Sequence, residues 1–109
     1  MHNFAELQRY VSSMFVAIIT YKKPREEVER HMEMHHHFLY DLYDEGCVVA
    51  SGPMGDGRGG VILFRSPDLT TAENLLHNDP FYIHDIANYE LIEFKPEEIR
   101  FEELREFFD

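Results

Sequence analysis

The sequence predicts an α+β fold of the ferredoxin-like kind, β-α-β-β-α-β, an antiparallel four-stranded sheet with its helices on one face. Three observations predict it. Four runs of strand length, 14–21, 47–51, 60–65 and 88–95, are rich in β-branched and aromatic residues. Two helical segments, 24–46 and 66–78, fall after the first and third of these runs. No repeat, low-complexity stretch or linker divides the 109 residues, a length that suits one core, so residues 1–109 form a single expected domain.

Taken in order, residues 4–11 are expected to form a short helix. "MFVAIITY" (14–21) is the first strand. Pro24 opens the first helix, because proline lacks only an N–H that the first turn leaves unpaired anyway. Acidic residues follow in that turn, and Gly46 closes the helix. "CVVAS" (47–51) and "GVILFR" (60–65) are strands joined by a glycine-rich turn, and "SPDLTTAENLLHN" (66–78) is the second helix. In "NDPF" (78–81), Asp79 before Pro80 reads as an N-cap with proline at the first helical position of a short turn. "NYELIEFK" (88–95) alternates as a strand should. The acidic tail is expected as an amphipathic helix over 96–108, with Ile99, Leu104, Phe107 and Phe108 apolar.

One feature calls for a partner. In "MFVAIITY" both alternating faces are apolar, Phe15, Ala17 and Ile19 on one and Met14, Val16 and Ile18 on the other. Two helices cover only one face of a sheet. The other is expected to pair with a second copy, giving a homodimer through sheet faces.

Composition narrows the function. A formal charge of −11, from 10 basic and 21 acidic residues, argues against a nucleic-acid partner, which needs clustered Lys and Arg. Cys47 is alone, so no disulfide framework is expected within the chain. The N-terminal "MHNFAELQRYVSS" lacks a signal peptide's basic start and apolar core. The apolar run "MFVAII" is too short to span a bilayer. A soluble, cytoplasmic domain without a membrane partner is expected.

The stretch "HMEMHHHFLYDLYDEG" (31–46) carries four of the seven histidines. At about 100° per residue, Met32, His35, Leu39 and Leu42 fall within about 40° of Val28 on one face. His35 thus interrupts an apolar stripe, whereas His37 points to solvent and His31 and His36 lie at its margins. His35 reads either as a core histidine bonded to backbone or as an imidazole held against the sheet for proton transfer. His31 and His35 have the i,i+4 spacing of two metal ligands. However, H-x-E-x-H turns Glu33 away from both rings, and no third ligand is apparent, so no metal is expected.

Other signals are weaker. "GDGRGG" (55–60) contains G-x-G-x-x-G, but it joins two strands instead of opening a helix, and nucleotide binding is rejected. Arg58 in that loop reads as solvated. Cys47, which enters an apolar strand without a motif, is not a nucleophile candidate. Asp79, at the end of the second helix, is placed to approach a histidine of the first, and Ser51 ends the second strand nearby.

The segments "HHHFLYDLYDEGCVVASGPM", "GVILFRS" and "AENLLHNDPFYIHDIANYELIEFKP" resemble, in this order, the YCII-related family of dimeric α+β-barrel proteins. The similarity covers about residues 14–96, with 1–13 and 97–109 as extensions. The family pattern has a helical His about eleven residues before an E/D-G turn, a strand ending in G-P, and an Asp-Pro-aromatic motif. These fall on His35, on Gly52 and Pro53, and on Asp79, Pro80 and Phe81. The resemblance implies a His–Asp pair in a cleft, acting as acid and base. A related enzyme eliminates chloride from a chlorinated hydroxyquinone, and the wider superfamily includes muconolactone isomerases and small cofactor-free monooxygenases. Two departures stand out. The basic residue often found shortly before the helical His is replaced by Met32, with Arg30 nearby, and Phe81 follows Asp-Pro, with Tyr82 one step later.

The expected function is a small cofactor-independent enzyme that eliminates from, isomerises or hydrolyses a compact aromatic or carbonyl compound. His35 is the candidate acid or base, with Asp79 fixing its tautomer, and Ser51, Phe81 and Tyr82 are expected to shape the substrate pocket. The rival class is a ligand-binding or regulatory homodimer that uses the same cleft without turnover. A purely structural homodimer ranks third.

Overall fold

The computed structural model describes residues 13–104. Its elements are β1 (Ser13–Tyr21), α1 (Arg25–Asp44), β2 (Val48–Pro53), β3 (Gly59–Ser66), α2 (Leu69–Leu76), α3 (Pro80–Ile83) and β4 (Ala87–Phe94). The strands form one antiparallel sheet in the order β2-β3-β1-β4. This is the expected α+β arrangement, and α3 is the short helical turn expected after Asp79 and Pro80.

Alternate side chains of a strand point to opposite faces. Phe15 and Ala17 of β1 therefore share a face with their partners Phe64 and Ile62 of β3 and Leu91 of β4. Against this face α1 packs Val28, Phe38 and Leu42, α2 packs Ala72 and Leu76, and α3 packs Phe81. Phe15 and Phe64 stack at 5.7 Å and are sealed from solvent, each stabilising the fold by about 1.5–3 kcal/mol. On the opposite face Val16 pairs with Leu63 and Ile92, and Ile18 pairs with Val61. None of these five joins the core cluster, and Ile92 and Phe94 are 45% exposed.

Each helix is bounded by local chemistry. Pro24 takes the N-cap position of α1 with extended ψ, and Glu26 and Glu27 occupy the first turn, where the helix dipole favours negative charge. At the other end the Gly46 N–H donates to the Tyr43 carbonyl from a left-handed φ of +78°, a conformation that suits glycine. α2 is shorter than the expected 66–78 because the Asp68 carboxylate accepts from the Thr71 N–H and caps the helix there. Ser66 remains in β3, opposite Ser13.

Two strand ends also differ from expectation. β2 runs on through Gly52 and Pro53, which is tolerated because it is an edge strand. The turn covers 55–58 and β3 begins at Gly59, where a Cβ would lie 1.7 Å from the Ile19 carbonyl oxygen. Only glycine fits there.

The tail departs from the amphipathic helix expected over 96–108. Residues 95–99 have no regular structure, and among the described tail residues only 102–104 are helical. Pro96 removes a donor, and Glu97, Glu98, Glu102 and Glu103 crowd negative charge into two turns with little apolar burial to offset it. Residues 105–108 of that expected helix, and the short helix expected over 4–11, lie outside the described residues. Among the described residues no helix is long and apolar enough to cross a membrane.

Candidate active site

His35 is the one buried polar residue on the inward face of α1, with 8% exposure. The stripe that holds it is rotated slightly from expectation. Phe38 is buried, while Met32 and Leu39 are only half-buried because they border a cavity beside His35.

Asp79 reaches His35 from the start of α3, forty-four positions further along the chain. The Leu76 carbonyl accepts from the Asp79 N–H, which turns the chain out of α2, and Pro80 opens α3. The His35 Nδ1 lies 2.8 Å from Asp79 Oδ1 and 3.0 Å from Oδ2. A carboxylate only accepts, so Nδ1 carries the hydrogen. Oδ1 also accepts from the Phe81 N–H at 3.0 Å, the N-cap bond, and Oδ2 accepts from the Tyr89 hydroxyl. The carboxylate is fully buried and receives three donors. Asp79 is therefore both a cap and the partner of a histidine.

The surroundings fix the ring. Phe81, fully buried, stacks under His35 at 4.1 Å with planes 10° apart, and Tyr21 meets Phe81 edge-on at 5.6 Å. Burial pushes the Tyr89 phenol well above its ordinary range, and the Asp79 charge pushes it further. Tyr89 thus remains a donor across ordinary pH. Tyr21 is raised by the same two causes in the same order.

A cavity of about 380 Å³ opens beside this pair, between α1 and the strands β1, β2 and β3. Its walls include Ile19, Met32, Leu39 and Ile62, with His35, His36, Ser51 and Tyr21 as polar groups. No buried side-chain nitrogen or oxygen among the described residues lacks a partner. With Nδ1 committed to Asp79, Nε2 is the ring nitrogen left for the cavity. An unprotonated Nε2 backed by a carboxylate can take a proton from a bound molecule and return it elsewhere.

The other expected site residues fall in different places. Ser51 lines the cavity and exchanges a 2.9 Å hydrogen bond with the Tyr43 hydroxyl. Phe81 supports the imidazole from beneath and does not line the cavity. Tyr82 faces away, stacked on His77 at 4.3 Å beside a separate cavity of about 330 Å³. His31 turns Nδ1 to the Glu27 carbonyl at 2.9 Å, and no group of three metal-ligating side chains occurs among the described residues.

Tyr89 was not expected from the sequence. Its position opposite Ile19 in β4 marks it as inward-facing, but only the folded register brings its hydroxyl to Asp79. His36, placed by helical spacing at the margin of the stripe, is exposed and also borders the cavity.

The model of the YCII-related domain matches residues 14–95. No curated protein shows significant sequence similarity to the chain. Among solved structures, the chain resembles 5-chloro-2-hydroxyhydroquinone dehydrochlorinase (TftG) from Burkholderia phenoliruptrix in complex with 2,5-dihydroxybenzoquinone. The two superpose with a TM-score of 0.63 at 15% identity, over 75% of this chain and 93% of that one. At that identity the likeness speaks for the fold alone.

Proposed function

The chain belongs to the YCII-related family, and we propose that it is a small-molecule enzyme using His35 and Asp79 as an acid/base dyad without a cofactor. One observation carries this reading. Asp79, sealed from solvent, holds His35 Nδ1 through both carboxylate oxygens, which leaves Nε2 for the cavity.

In this reading Nε2 removes a proton from a bound carbon or hydroxyl. The resulting imidazolium is favoured by the adjacent carboxylate, and it delivers the proton to a leaving group or to another atom of the substrate. Elimination and isomerisation follow directly, and hydrolysis follows if water is the group deprotonated. Positioned acid–base groups of this kind contribute about 10²–10⁴-fold to a rate. The apolar walls suit a compact aromatic or carbonyl compound. The resemblance to a fold that elsewhere carries out dehydrochlorination, and that was solved with a dihydroxybenzoquinone, supports that class. Ser51 supplies a polar contact in the cavity, and Phe81 holds the imidazole plane.

We read the whole chain as one domain, cytoplasmic and homodimeric, with the apolar face of Val16, Ile18, Val61, Leu63 and Ile92 as the contact between copies. The test is incubation of the full chain in D₂O with hydroxyquinones, lactones and related enolisable compounds, followed by NMR. Deuterium incorporation or turnover that disappears in His35→Gln and survives in His37→Gln is the expected result. Tight binding without exchange or turnover, weakened by His35→Gln, would make the protein a binding module instead.

A further inference from the structure

The His35 cavity does not end at its apolar walls. Tyr21 and Met32 line it and also line a wider cavity of about 670 Å³, so the two cavities adjoin at these side chains. The two halves differ in chemistry. The inner half joins Ile19, Leu39 and Ile62 with His35 and has no Lys or Arg in its lining, whereas the outer half is bordered by Lys23, Arg25 and Arg58. Three cations at the mouth of one cleft stand out in a chain with 10 basic and 21 acidic side chains.

The acids in the outer half, Glu29 and Asp56, already pair with these arginines, but weakly. Arg25 bonds Glu29 through Nε at 2.9 Å and Arg58 bonds Asp56 through Nε at 2.6 Å. The two arginine side chains are 90% and 71% exposed, and pairs so exposed are readily exchanged. Neither hydrogen bond uses the terminal guanidinium nitrogens, which are the fork that grips a carboxylate. Lys23 makes no close ion pair among the described residues, although its charge, after that of Lys22, helps to hold the exposed Asp85 carboxyl below the usual carboxylate range.

We propose that the cleft selects anionic substrates. The apolar or aromatic body lies in the inner cavity against His35, and a carboxylate or comparable anionic group lies at Arg58, Arg25 and Lys23. This rests on the reading of the His35 cleft as the substrate site and names the substrate class it takes. Arg58, expected from the sequence to be a solvated loop residue, becomes a specificity determinant in this account. The Asp56 carboxylate is its built-in competitor.

The experiment titrates the full, isotope-labelled chain with two probes of equal shape, 4-hydroxybenzoate and the neutral 4-hydroxybenzamide. His35 side-chain signals report occupancy of the inner cavity. The benzoate is expected to bind about tenfold more tightly at low salt, as a charge-assisted hydrogen bond allows, with the preference shrinking as salt rises. The triple variant Lys23→Gln, Arg25→Gln, Arg58→Gln should lose the preference while still binding the amide. Asp56→Asn keeps an oxygen for the Arg58 N–H and removes the competing charge, so it should tighten benzoate binding. Equal affinity for the two probes, a preference that survives the triple variant, or unchanged benzoate affinity in Asp56→Asn overturns anion selection and leaves the cleft as a ligand site. If neither probe moves His35, anion selection and the ligand-site reading both fall.

Discussion

The Tyr89 hydroxyl donates to Asp79 Oδ2, while the opposite oxygen of the same carboxylate caps α3. A strand residue thereby completes the hydrogen bonding of a carboxylate whose other task is to hold His35. The bond has a consequence for alkaline stability. Tyr89 is raised above the ordinary phenol value of about 10, so above that pH the unfolded chain loses a proton that the folded chain keeps. The unfolded state then binds fewer protons, and stability falls as pH rises. Tyr89→Phe should lower stability by about 1 kcal/mol at pH 7 through the lost hydrogen bond. It should also flatten the further decline between about pH 10 and 11. Urea unfolding of both proteins at the two pH values checks this, and an identical alkaline decline would remove Tyr89 as its source.

Asp79→Asn separates the cap from the charge. The asparagine oxygen can still accept from Phe81 N–H and His35 Nδ1–H, and its amide can donate to the Tyr89 oxygen. Stability should therefore drop by only about 1 kcal/mol, whereas turnover should fall by about 10²–10⁴-fold. Combined with His35→Gln, the losses should not add, because the two residues act as one unit. Wild-type turnover in Asp79→Asn would reduce Asp79 to a helix cap.

Glycine positions differ in what they require. A Cβ at Gly59 meets backbone, the Ile19 carbonyl oxygen at 1.7 Å, and neither strand can yield without losing its register. Gly59→Ala should cost more than about 4 kcal/mol or prevent folding. Gly46 has open space around it and needs only its left-handed φ, so Gly46→Ala should cost about 1 kcal/mol. Thermal unfolding ranks the two.

The outer sheet face predicts assembly. Light scattering of the wild type at micromolar concentration should give a dimer mass, and Ile18→Glu, in the centre of that face, should give a folded monomer. A wild-type monomer would leave Val16, Leu63 and Ile92 without a covering surface and would contradict this reading.

What the sequence made legible follows from periodicity. The β-branched and aromatic run 14–21 marked a strand apolar on both faces, alternation marked 88–95, and helical spacing singled out His35 among neighbouring histidines. Asp79 was legible as a cap, because Asp-Pro is a local signal, but its contact with His35 spans forty-four positions and spacing alone could not decide it. Phe38 and Leu39 exchanged roles because a cavity, invisible in the helical pattern, draws Leu39 to its edge. Tyr89 and Tyr82 show the same limit. A phenol in a strand and one in a helical turn look alike in sequence, and only the tertiary register sends one to the carboxylate and the other to His77.

In the proposed dyad, Asp79 fixes His35 with hydrogen on Nδ1 and leaves Nε2 as the base. Two-bond ¹H–¹⁵N correlation of the His35 ring, recorded where the imidazole is neutral, tests it most directly. The expected result is a protonated Nδ1 and an unprotonated Nε2 whose signal shifts when a cleft ligand binds. Hydrogen on Nε2, or an Nε2 signal indifferent to every ligand that enters the cleft, would contradict it.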